Sequence, residues 1–142
     1  MKYIVKALHI SALTLLLSAC GEDNNTPEAL TKYFMEYARQ DNIAMRKKTP
    51  LPKETKEDAK TKYVPGFSFR KIGRHHYIIG RTMNDHYKDN YESLTFDIGD
   101  AKINGSRATV SAYVASNECL FTYSSIENKW LLSDIVCSEY QY

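Results

Sequence analysis

The sequence lacks the signatures of the commonest catalytic and nucleotide-binding sites. It has no G-x-S-x-G turn to present a serine nucleophile, no G-x-G-x-x-G and no phosphate-cradling P-loop. No spacing among its 17 acidic residues singles out a carboxylate pair of the glycosidase kind. It also lacks an excess of one charge. Its 19 Lys and Arg stand against 17 Asp and Glu, a formal +2, which argues against a dedicated nucleic-acid binder. Its apolar run, residues 7–17, is shorter than the ~20 residues that cross a bilayer as a helix. Cysteine is scarce, three in 142 residues, and no histidine stands near the last two, which leaves too few ligands for zinc. No cofactor and no metal is expected. What the chain does have is 11 Tyr, 5 Phe and 1 Trp in a composition 43% hydrophobic, too apolar for a disordered chain. Its length allows one domain and excludes a full (β/α)₈ barrel.

The N-terminus opens with Lys2 and Lys6, continues through the apolar run and closes on Ser18-Ala19-Cys20. A basic start, a short apolar stretch and a small-residue end make an export signal. Leu17-Ser18-Ala19-Cys20 resembles the lipobox of bacterial lipoproteins. The resemblance implies cleavage before Cys20, diacylation of its thiol and acylation of the new amino group. Gly21 follows where Asp would favour the inner membrane, so the resemblance leans towards the outer membrane, with the domain facing the periplasm. Loss of residues 1–19 removes Lys2 and Lys6 and leaves 17 basic and 17 acidic residues, a formal charge of zero. Attachment then rests on acyl chains, several of which anchor stably. The expected organisation is a signal over 1–19, a short polar tether over 20–25 and a single domain over 26–142. The tether stretch 21–25 reaches at most about 20 Å, so the domain works close to the membrane surface.

An exported chain with two further cysteines, Cys119 and Cys137, is a candidate for one disulfide. Residues 118–124 and 129–137 both read as strands joined around Ile126-Glu127-Asn128. Folding that hairpin sets opposite one another residues whose numbers sum to 255 or 256, and Cys119 and Cys137 satisfy this.

Thr26-Pro27-Glu28 is a helix start, with Thr26 as N-cap, Pro27 first in the helix and Glu28 in the positive field of its terminus. Leu30, Tyr33, Phe34, Tyr37 and Ala38 form its apolar stripe, and the helix is expected to run to about Arg46. Residues 47–62 are rich in Lys and Glu and read as a solvated loop or a short surface helix over 53–60. From Val64 the period changes to two. Phe67-Ser68-Phe69 begins it, and strands are expected over 74–83, 92–102, 106–115, 118–124 and 129–137, with Asn104-Gly105 as a hairpin turn. The plan is α+β: an N-terminal amphipathic helix packed on a curved antiparallel sheet of four to five strands.

This plan resembles the nuclear-transport-factor-2-like and cystatin-like folds, in which an N-terminal helical part fills the hollow of a curved antiparallel sheet. The local match is Asn128-Lys129-Trp130-Leu131-Leu132-Ser133-Asp134-Ile135, similar to the last strand of many small exported members. The helical part expected here is shorter than the three helices usual in the first fold.

Three groups of side chains are candidates for a site. His75 and His76, adjacent on an expected strand, would point to opposite faces and could not share a metal without a bulge, and His86 lies in the polar loop 84–89. Asp134 alternates with Trp130, Leu132 and Val136, and Arg81 with Tyr77, Ile79 and Met83. Both charges would sit on apolar faces, either as a pair lining a wet hollow or as a structural ion pair, unless the Trp130 face of the strand is the outer one. Tyr87, Tyr91, Tyr113 and Tyr123, with Tyr140 and Tyr142, either form an aromatic binding surface or serve as strand formers.

The functional expectation is a non-catalytic, membrane-anchored module facing the periplasm. It would bind a protein partner, in envelope assembly or as an immunity protein or inhibitor against a secreted toxin, with Tyr113 and Tyr123 first among its contacts. The alternative is a small-ligand or enzymatic cavity protein with Arg81 and Asp134 converging in the hollow.

Overall fold

The computed structural model describes residues 24–138. The expected export signal over 1–19, Cys20, Tyr140 and Tyr142 lie outside the described residues. Over the described residues the fold is α+β, three α-helices with a five-stranded antiparallel sheet that does not close on itself. In chain order the helices are α1 (Pro27–Lys47), α2 (Lys53–Lys60) and α3 (Phe69–His86), with a short 3₁₀ turn at Tyr91–Ser93. The strands are β1 (Asp97–Ile98), β2 (Lys102–Asn104), β3 (Arg107–Val114), β4 (Asn117–Ile126) and β5 (Lys129–Cys137). The central order is β3-β4-β5, and β1 and β2 both pair with the free side of β3.

Helix α1 begins where capping chemistry places it. The Thr26 hydroxyl accepts from Ala29 N at 3.2 Å, and Pro27 opens the helix without losing a bond. Its apolar side, Leu30, Phe34, Met35 and Ala38, is buried against the sheet. There it meets Phe121, stacked on Phe34 at 6.4 Å, and Tyr123, whose hydroxyl shares a 2.6 Å hydrogen bond with Thr31 Oγ1. The helix ends at Lys48, in the left-handed region at φ 53°.

Residues 74–83, expected as a strand, are instead the middle of α3. The buried residues Ile78, Ile79, Thr82 and Met83 follow the 3.6-residue period, as does His75. Tyr, Ile and Thr bias the stretch towards strand locally, and a mid-segment Gly weakens it as a helix. The packing of its apolar stripe against α1 and β5 outweighs that bias. Phe67-Ser68-Phe69 accordingly leads into a helix, with Ser68 as its N-cap and Phe69 its first residue, and among the described residues the helical part numbers three α-helices rather than the shorter one expected.

Residues 92–102 do not form one strand either. Gly99 and Asp100, poor strand formers, break it into β1 and β2. The break is held at two points. Gly99 N donates to Ser111 O at 2.9 Å, and Ala101 N donates to the Glu28 carboxylate at 2.8 Å.

The outer edge of β5 is covered piecewise. Asn25 acts as a strand fragment, accepting from Trp130 N at 2.8 Å and donating to Trp130 O at 3.2 Å. Lys62 and Val64 bond the backbone of Leu132 on either side of the Tyr63 bridge. Such devices keep an edge from recruiting other chains.

Candidate functional site

An open concave surface lined by apolar, polar and charged side chains lies where α1 and α3 cross. The crossing is close because Gly80 has no side chain: a Cβ there would stand 2.3 Å from Asn42 Oδ1. Asn42 is buried in the contact and donates to Ala38 O at 2.8 Å and to His76 O at 3.0 Å. Arg46 donates to Gly80 O at 3.0 Å and lays its guanidinium 4.2 Å from the Tyr91 ring centroid. The same seam residues, Asn42, Arg46 and Gly80, line an open groove of about 490 Å³ between the two helices. Met45 and Tyr77, 62% and 65% exposed, both line it. Arg81 and Asp85, an i,i+4 pair at 3.7 Å, add charge of both signs.

His76 borders the groove. Its Nδ1 lies 3.0 Å from Asp41 Oδ2, and its ring is 5.7 Å from that of Tyr37. Burial lowers its pKa below the ordinary histidine range, against the opposing pull of the Asp41 carboxylate. His75 points the other way, into the core. Its Nε2 is 3.1 Å from Met35 Sδ, and its ring stands edge-on to Phe121 at 5.3 Å. Complete burial, with His76 adding a smaller push, lowers its pKa to about 3. The two histidines are thus successive residues of a helix, with ring centroids 5.7 Å apart, and not opposite faces of a strand. His86 closes α3 rather than sitting in a loop. Among the described residues no group of three or more His, Cys, Asp and Glu could hold a metal ion.

The other expected site residues fall in different places. Arg81 and Asp134 do not converge: Arg81 faces Asp85, and Asp134 forms its ion pair with Lys71, also on α3. Lys71 precedes Arg81 by ten residues, about 15 Å along the helix. A bulge in β5 is the cause. Tyr123 pairs with Leu132 but Thr122 pairs with Asp134, so Ser133 is an extra residue. The alternation slips there, and Leu132 and Ile135 face the core while Asp134 and Val136 face outward. Trp130, half-buried, packs against the core.

Tyr123 is no part of an exposed surface. It is 0% exposed, its hydroxyl is spent on Thr31, and burial raises its pKa. Tyr113 is 40% exposed on the outer sheet face, beside the cross-strand pair Leu120 and Val136, with its hydroxyl 3.3 Å from Glu118. Tyr87 and Tyr91 are half-buried against the core edge. Cys119 and Cys137 are directly opposed in the β4–β5 ladder and joined by a disulfide.

The groove residues Met45, Tyr77, Asn42 and Gly80 were not among the candidates read from the sequence. Once 69–86 is helical, Gly73, His76, Tyr77, Gly80, Arg81 and Asn84 share one side at spacings of three and four. That periodicity was the available signal. Among the described residues no helix is long and apolar enough to cross a membrane. Comparison with protein-family models, curated proteins and solved structures finds no match to the chain.

Proposed function

We propose that the chain is a bacterial lipoprotein, anchored through acylated Cys20 and facing the periplasm, that captures a protein partner in the groove between α1 and α3. Residues 1–19 act as the signal and 20–25 as the tether. The partner is an envelope component or a secreted toxin that the domain neutralises, and outer-membrane placement follows from Gly21 behind the lipidated cysteine. The observation that carries the binding role is the pair Met45 and Tyr77. These two large apolar side chains stand more than half exposed beside the Arg81–Asp85 ion pair. A long flexible thioether and a phenol, with charges of both signs at hand, suit a protein segment presenting an apolar side chain inside a polar rim. The Cys119–Cys137 disulfide supports export, since oxidising compartments are where such bonds persist.

Two measurements test the proposal. Replacing Cys20 with Ala should move the protein from the membrane to the soluble fraction, and membrane retention of that variant would refute the anchor. A photo-crosslinking residue at Tyr77, compared with one at Tyr113, should trap the partner in envelope extracts. Crosslinking from Tyr113 alone would move the interface to the outer sheet face. Loss of turnover of a small substrate on His76→Ala would replace the binding role with a catalytic one.

A further inference from the structure

The route by which the chain enters the domain marks out one end of the molecule. Asn25 is bonded through its side chain to the backbone of Trp130, one residue inside the end of β5. Two turns lie at this same end. The β2–β3 turn follows Asn104, which pairs with Arg107, and the β4–β5 turn follows Ile126, which pairs with Lys129. Ser125 N donates to Ser106 O at 2.7 Å and ties the two turns together. The α1–α3 groove is at the other end. Arg46 lies 19 residues along α1 from Pro27, on the order of 30 Å away.

The surface of this end is apolar and basic. Ile103 is 60% exposed and Ile126 41%. Lys102, Arg107 and Lys129 are exposed around them, with Glu127 the acidic residue of the hairpin turn. From Cys20 to Asn25 the chain spans five residues, at most about 18 Å when fully extended. Glu22 and Asp23 make that stretch acidic, so the two turns and not the tether carry the positive charge.

We propose that the end formed by the β2–β3 and β4–β5 turns rests on the bilayer, with Ile103 and Ile126 at the headgroup boundary and Lys102, Arg107 and Lys129 on anionic headgroups. This rests on the lipid-anchor reading above. The short tether keeps these turns within reach of the membrane, and weak contacts gain from that confinement. The groove is then held away from the bilayer and open to a periplasmic partner.

The test is hydrogen exchange on the full chain, expressed in a bacterial host and reconstituted into phosphatidylethanolamine–phosphatidylglycerol vesicles. The reference is the Cys20→Ala chain in solution. Intact mass first reports whether Cys20 is acylated. Residues 102–107 and 126–129 should exchange at least about threefold more slowly on the vesicles, with 73–85 unchanged. The double variant Ile103→Asp/Ile126→Asp, changed at exposed positions, should remain acylated and folded yet lose that protection. An acylated chain with no protection at the turns, or with protection at 73–85, overturns the orientation and leaves the anchor standing. A chain that is not acylated overturns both, and the mass tells the two failures apart.

Discussion

Gly80 of α3 and Asn42 of α1 mark a close approach of the two helices, where a Cβ on Gly80 would stand 2.3 Å from Asn42 Oδ1. Gly80→Ala should therefore destabilise the fold by about 1–3 kcal/mol, the usual cost of overpacking, and widen the groove. Gly73, on the same helix, has nothing within 4 Å of its notional Cβ. Gly73→Ala should stabilise the protein by about 0.5–1 kcal/mol through helix propensity alone. Urea unfolding of the two variants checks both. Equal effects at the two positions would refute the close approach.

The disulfide joins residues 18 apart in sequence. Closing a loop of that size contributes about 3 kcal/mol in the chain-entropy model. The Cys119→Ala/Cys137→Ala variant should lose stability of that order in chemical denaturation. The native, unreduced protein should show neither thiol to an alkylating reagent, and two reactive thiols would rule the pairing out.

His75 makes stability depend on pH. Its ordinary value is 6.5, and burial takes it to about 3 in the folded protein. The unfolded chain binds the proton first, so the stabilisation of the neutral ring is complete above about pH 6.5. It is lost as pH falls from there towards 3, at up to about 1.4 kcal/mol per pH unit. His76, lowered for the same reason, acts in the same direction. Denaturant titrations at pH 7, 6 and 5 should show the decline. His75→Leu should flatten it, and an unchanged slope in that variant would assign the dependence to other groups.

Tyr123 and Tyr113 should part company. Tyr123→Phe removes a buried hydrogen bond to Thr31, which keeps its bond to Pro27 O at 2.7 Å, so the loss should be about 0.5–1.5 kcal/mol. Tyr113→Ala, on the outer face, should stay within about 0.5 kcal/mol of the parent. Thermal melts of the two variants decide this, and a Tyr113→Ala loss larger than that of Tyr123→Phe would contradict the assignment of faces.

Elements built on local chemistry were legible in the chain itself. Thr26 and Pro27 announce the start of α1, and Asn104-Gly105 the turn after β2. The alternation of 107–114, 117–126 and 129–137 dictates their pairing, because each of those stretches has one apolar side to bury. Counting across a single short turn brought Cys119 to within one residue of Cys137, and the Ser133 bulge then sets the two directly opposite. Three things depended on tertiary contact. The helix over 69–86 forms because its stripe finds α1 and β5, against the strand preference of its Ile, Tyr and Thr. The Ser133 bulge turns Asp134 outward to Lys71, and no local pattern marks an extra residue that only the register of the partner strand requires. The groove is lined from both α1 and α3, which Gly80 lets meet closely at Asn42. Local propensity and period act over neighbouring residues and can be read there. Which face is inner, and what lies across from it, is decided only when distant segments compete for the same core.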